Sequence, residues 1–254
     1  MRFIATADTD IGIAKVTNQD SVLLKHAYTD IGEVLMAIVC DGMGGLSKGE
    51  LASATVIRAF DRWFHEELPY ELENVDLNVI GSEWALKLKE LNGAILEHSQ
   101  NHDGTSMGTT FTGVLFVDKQ YVVVHVGDTR LYKIDSQLKQ LTEDQTFVQR
   151  EVKKGTLTLE QAMTDKRRNM LLQCVGASKV VEPVVMVGET ETGAYMLCSD
   201  GFRHKITAEE IYESLNPVNL KDKEVMHSHV RYLIEQDKAR GEKDNISAVL
   251  IRVE

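Results

Sequence analysis

The stretch Val39-Cys40-Asp41-Gly42-Met43-Gly44-Gly45 sets a carboxylate at the seam between an apolar run and a glycine-dense loop. The run, residues 34–40, is rich in Val and Ile and reads as a buried strand. The glycines let backbone come close to a ligand. Ser47 followed by Glu50 has the spacing of a capping box, so a helix is expected to start there. Two further sites repeat the pattern: Asp200-Gly201 ends the run 195–199, and Asp244-Asn245 opens the run 246–253. A lone aspartate in such a place is an ordinary turn residue. Three at the rims of apolar runs, which one sheet system can bring together, are suited to a hard divalent cation such as Mg²⁺ or Mn²⁺.

Five segments occur in a fixed order: Asp41-Gly42-Met43-Gly44-Gly45, Met107-Gly108-Thr109-Thr110, Val126-Gly127-Asp128-Thr129-Arg130, Cys198-Ser199-Asp200-Gly201 and Asp244-Asn245. In that order the chain resembles the metal-dependent Ser/Thr protein phosphatases of type 2C, in their bacterial single-domain form. With the stretch 12–20 matching the family's opening, the resemblance covers nearly the whole chain. It implies an αββα sandwich of two mainly antiparallel sheets flanked by helices, with the metal site in a cleft at one edge. It also implies two Mn²⁺ or Mg²⁺ ions. The residue matching Asp41 bridges them, the carbonyl matching Gly42 ligates one, and Asp200 and Asp244 match residues that complete the shell. Such a pair activates water for direct attack on a phosphoryl group.

The same resemblance makes Asp128 the holder of a weaker third metal; read from its own neighbours, Asp128 is instead a hairpin residue with Arg130 as ion-pair partner. His204 stands where the family often has an aspartate. Asp20 matches an acidic residue that hydrogen-bonds water at the metals, with Gln19 before it where many members are acidic. Lys15 matches an arginine that grips the substrate phosphate; lysine keeps the charge without the bidentate fork. The implied substrates are phosphorylated proteins, with a cognate Ser/Thr kinase as opponent. The rival reading is a weak or inactive phosphoprotein-binding regulator, for which Lys15, Gln19 and His204 speak and the retained Asp41, Asp200 and Asp244 speak against.

Other chemistries fit poorly. Cys198 and Arg203 are one residue short of the Cys-x5-Arg spacing of a cysteine phosphatase, and the three cysteines read as core thiols. Gly44-x4-Gly49 runs into Glu50-Leu51, which is no P-loop, and Gly42-x-Gly44 is not completed to a dinucleotide fingerprint. His98 and His102 read as a solvated helix face.

Strands are expected at 3–7, 21–26, 34–40, 184–187, 194–199 and 246–253, with an antiparallel meander over 111–117, 121–126 and 130–134. Helices are expected at 49–68, stopped by Pro69; at 82–102, capped by Ser82; and at 208–215 and 221–239. Residues 141–169 are expected as a short helix and a mobile excursion, and 146–169 of them match the family's flap. Its basic residues Arg150, Lys153, Lys154, Lys166, Arg167 and Arg168 are placed to steer acidic phosphoprotein segments. With 254 residues and three prolines the chain reads as one domain, 1–254, able to bury roughly three quarters of its unfolded surface. A net charge of −11 argues against a nucleic-acid partner. Residues 1–5 do not read as a signal peptide, and no stretch reaches the ~20 apolar residues of a membrane span. The expected location is the cytoplasm.

Overall fold

The computed structural model describes residues 1–44, 48–102 and 106–254. The chain runs β1 (Phe3–Asp10), β2 (Ser21–Thr29), β3 (Gly32–Cys40), β4 (Gly42–Gly44), α1 (Gly49–Glu66), α2 (Leu68–Glu71), α3 (Leu77–Asn101), β5 (Met107–Thr109), β6 (Phe111–Val117), β7 (Gln120–Val126), β8 (Arg130–Ile134) and β9 (Leu138–Gln140). It continues with α4 (Phe147–Lys153), α5 (Leu159–Thr164), β10 (Val184–Glu189), β11 (Gly193–Cys198), α6 (Ala208–Leu215), α7 (Lys223–Ala239) and β12 (Ile246–Val253).

Among the described residues two five-stranded antiparallel sheets form, ordered β1-β12-β11-β8-β9 and β10-β7-β6-β3-β2. Strand alternation explains the layers. In β3, Leu35, Ala37 and Val39 face the other sheet, where they meet Leu197, Val249 and Ile251. Val34, Met36 and Ile38 face outward and are covered by Phe60, Trp63 and Trp84 of α1 and α3. The second sheet is covered by α6 and α7 through Ile211, Val230 and Ile234. Both faces of β3 are buried, so the strand is apolar throughout rather than alternating. The result is the expected αββα sandwich.

Several local expectations change. The meander does not form: β6 and β7 pair, but β8 pairs with β11 and β9 in the other sheet. Gly127, at φ 106°, turns the chain across, so Asp128 lies on a crossover between sheets and not in a hairpin. The long helix starts at Leu77, not Ser82, because the Asp76 carboxylate accepts from the Asn78 and Val79 amides at 2.9 and 3.4 Å. Ser82 instead donates back to the Asn78 carbonyl at 2.8 Å. Pro69 does not end α1, which stops at Glu66; it stands in the first turn of α2, where a missing amide costs nothing. The flap holds two short helices, capped by Thr146 and Thr158. Ser47 lies outside the described residues.

In α7, buried Asp237 accepts one amide, from Lys205 at 3.1 Å, while its Oδ2 has no partner. Burial pushes its carboxyl up from 3.8 to about 7. A raised folded-state value means the contribution to stability is complete below the unfolded value and is lost as pH rises through about 7. Asp237→Asn, which mimics the neutral acid, should therefore stabilise the protein by about 2 kcal/mol at pH 8. That advantage should fade toward pH 4. Chemical denaturation at the two pH values checks this; an equal effect at both would contradict it.

Candidate metal centre

Asp41 follows β3 and its backbone is fixed on both sides. Its amide donates to Thr110 Oγ1 at 2.9 Å, and its carbonyl accepts from the Thr110 amide at 2.9 Å and from Thr109 Oγ1 at 3.0 Å. The Thr109-Thr110 pair thus anchors the aspartate and leaves its side chain free of these bonds. Gly42 donates its amide to the Gln19 carbonyl at 3.2 Å. A Cβ at Gly42 would collide with the Gln19 and Gly49 carbonyl oxygens, so the close packing here requires glycine.

Asp200 leaves β11 directly after Ser199, whose Oγ accepts the Ser247 amide at 3.0 Å. Next door, a Cβ at Gly201 would strike the Asn245 carbonyl, so this turn and the start of β12 touch backbone to backbone. Asn245 is the tie between elements. Its Nδ2 donates to the Ile11 carbonyl at 2.9 Å, and its Oδ1 accepts the Gln19 amide at 2.9 Å. The stretch carrying Lys15 and Asp20 is thereby bound to the strand that presents Asp244. Nothing in the sequence singled out Asn245 for this role; its place beside Asp244 was the available signal.

The carboxylates of Asp20, Asp41, Asp128, Asp200 and Asp244 lie within reach of one another's fields. Burial drives Asp41 well above the usual range, and the charges of Asp20, Asp200, Asp128 and Asp244 add to it. Burial raises Asp20 to about 7, against hydrogen bonds from Ser247 and Ser199. Asp128 is also raised to about 7 by burial and by Asp200, with Arg203 pulling the other way. Asp200 goes down: burial opposes its charge, but the hydrogen bond and charge of His204, with the charge of Arg203, together outweigh burial. Asp20 Oδ2 is buried without a partner.

The cations nearby are few. Lys15 Nζ is 2.7 Å from Asp244 Oδ1, at the rim. His204 Nε2 is 3.4 Å from Asp200 Oδ2 and its Nδ1 is 3.2 Å from Glu242 Oε2. Arg130 does not pair with Asp128; it grips Asp144 through two bonds of 2.7 and 2.6 Å. Among the described residues no three Asp, Glu, His or Cys side chains close into a ready-made coordination shell. Repelling carboxylates are not expected to close without a cation between them. A cleft of about 500 Å³ opens beside them, lined by Asp128, Asp200 and His204 together with Leu159, Met163 and Arg168 of the flap. His98 and His102 are exposed and stacked on each other at 4.2 Å. Cys40, Cys174 and Cys198 are free and buried, as core thiols should be.

The family model for protein phosphatase 2C matches residues 13–250. The chain belongs to the protein phosphatase 2C family. It is 34% identical to the serine/threonine protein phosphatase PstP of Mycobacterium tuberculosis over 97% of its own length, and spans 44% of the length of that relative. Among solved structures it is similar to the S. agalactiae serine/threonine phosphatase, with a TM-score of 0.87, 28% identity and full coverage of both chains. It is also similar to the PstP catalytic domain in complex with two manganese ions, with a TM-score of 0.77 and 30% identity over 98% of this chain and 97% of that one. Among the described residues no helix is long and apolar enough to cross a membrane.

Proposed function

We propose that residues 1–254 form one metal-dependent phosphatase domain acting on phosphoserine and phosphothreonine in proteins. The observation that carries this reading is the cluster of mutually repelling carboxylates at the strand ends, with Asp20 Oδ2 buried and unpartnered. Such a cluster needs cations, and its donors are all oxygens, which fit hard divalent ions. PstP holding two manganese ions supports Mn²⁺, and Mg²⁺ shares the ligand preference. Asp41, Asp200, Asp244 and the Gly42 carbonyl would hold two ions. Bound there, they would acidify a shared water and offset the charge of the phosphoryl group.

The chain's own residues do the rest. Asp20, held behind the ligands by Ser199 and Ser247, accepts and orients a hydrogen bond from water. Lys15 reaches the rim with its charge secured: burial opposes it, but the hydrogen bond to Asp244 and the fields of Asp41 and Asp200 hold its ammonium above the usual value. With Asp244 engaged by a bound cation, that ammonium would be free to grip a substrate phosphate. Lys15→Arg should lower KM by adding a second donor. An unchanged or raised KM would remove Lys15 from the phosphate site.

The flap narrows the steering role foreseen for its basic residues. Arg150 and Lys154 pair with Glu151 at 3.1 and 3.4 Å, and Lys153 with Glu143 at 2.6 Å. Arg167 pairs with Asp165 at 2.8 Å and lies over the Phe147 ring at 4.2 Å. The Arg168 side chain donates to the Met163 carbonyl at 3.3 Å and lines the cleft. Arg168→Ala should therefore slow phosphoprotein turnover more than turnover of a small aryl phosphate, whereas Arg167→Ala should chiefly loosen the flap. Equal losses on both substrates for Arg168→Ala would contradict this.

The reading implies a Ser/Thr kinase as opponent and a cytoplasmic site of action, which agrees with three free cysteines. Phosphate release from phosphoserine, phosphothreonine and phosphotyrosine peptides with Mn²⁺ tests it. Turnover of the first two is expected. Tight binding without turnover would identify a regulatory relative, and preference for a small metabolite ester would make it a different phosphatase.

A further inference from the structure

The family resemblance offers Asp128 to a third metal, while its sequence neighbours alone make it a hairpin residue. Its surroundings in the fold do not fit the metal role. Asp128 is 7% exposed, and a carboxylate so buried is costly unless a positive charge meets it. Arg203, two residues beyond Gly201, is that charge. Its Nη2 donates to the Asp128 backbone carbonyl at 3.1 Å and lies 3.6 Å from Asp128 Oδ2. The same Nη2 is 3.8 Å from Asp144 Oδ2, and Asp144 is itself clamped by Arg130 and by Gln140 Nε2 at 3.0 Å. Two carboxylates thus meet two guanidinium groups, held by bonds from β8, from the segment after β9 and from the turn after β11. The adjacent residue, His204, occupies Asp200 from the same side and is tied back to Glu242.

We infer that Arg203 is a resident cation in the place of a third metal, so that Asp128 is its salt-bridge partner and the chain saturates at two ions. A divalent ion brought to Asp128 would face a guanidinium within a few ångströms in a partly buried site, where like charges repel far more than in water. His204 stands where the family often has an aspartate, and in this chain Arg203 directly precedes it. The inference rests on the two-ion reading above, but its test separates the two.

The test is the number of Mn²⁺ ions bound per chain at saturation, by equilibrium dialysis with metal analysis, for the full chain. Wild type should bind two, and Asp128→Asn should also bind two. Arg203→Gln should bind one more than wild type, and the added ion should be lost again in Arg203→Gln/Asp128→Asn. Loss of an ion on Asp128→Asn in the wild-type background, or no gain in folded Arg203→Gln, would overturn the inference. Circular dichroism reports whether Arg203→Gln folds; if it does not, the Asp128→Asn arm decides alone. Fewer than two ions in wild type would contradict the two-ion reading, while the difference between variant and wild type would still decide the role of Arg203.

Discussion

Asp41→Asn should cut metal-dependent phosphate release by at least about a hundredfold, since loss of a direct anionic ligand should exceed the 10–100-fold cost of disturbing an outer partner. The same change should stabilise the metal-free protein. The Asp41 backbone is held by Thr109 and Thr110, so asparagine can keep its place, while the side chain loses a charge repelled by four other carboxylates. The carboxyl is raised in the folded state, so its stabilising contribution is lost as pH rises through the folded value and asparagine escapes that loss. In EDTA at pH 8 the variant should therefore melt above wild type. Melting in EDTA and hydrolysis with Mn²⁺ check the two halves. A variant that lost activity and stability together in EDTA would point to a structural role.

Gly42→Ala should instead lose stability and metal affinity together. The new methyl has no free direction: the Gln19 and Gly49 carbonyls close on it from two strands of chain, and both are backbone. Relief requires moving the segment that holds Asp20 or the start of α1. The expected cost is about 3 kcal/mol or more in stability, with Mn²⁺ affinity falling as the Gly42 carbonyl is displaced. Thermal unfolding with and without Mn²⁺ measures both. A variant as stable as wild type would show that the close approach is not maintained in solution.

Much of this was legible in the chain because the site sits where local patterns are strongest. Each of Asp41, Asp200 and Asp244 marks the place where a run of buried residues meets a turn, and such seams survive any rearrangement of the layers. The strand β3 announced burial on both faces by its unbroken apolar run. The partnership of strands was less visible. Strands β7 and β8 read as a hairpin in sequence, but Gly127 turns at φ 106° and β8 pairs with β11 and β9 in the other sheet. The start of α3 was misplaced because Ser82 suits an N-cap, whereas Asp76 caps the helix and Gly81 lies inside it. In the fold that glycine lets the helix lie against Val122 and Val185, where a Cβ would clash. Arg203 was invisible as a partner of Asp128, 75 positions away, because nothing local links the turn after β11 to the crossover before β8.

The most direct measurement of the central claim is hydrolysis of para-nitrophenyl phosphate by wild-type protein stripped with EDTA and then titrated with Mn²⁺ or Mg²⁺. The account predicts no turnover in EDTA and saturable recovery with either ion, because the carboxylate cluster needs cations before it can present water to a phosphate. Turnover that persists in EDTA, or none with any divalent ion in a folded protein, would contradict it.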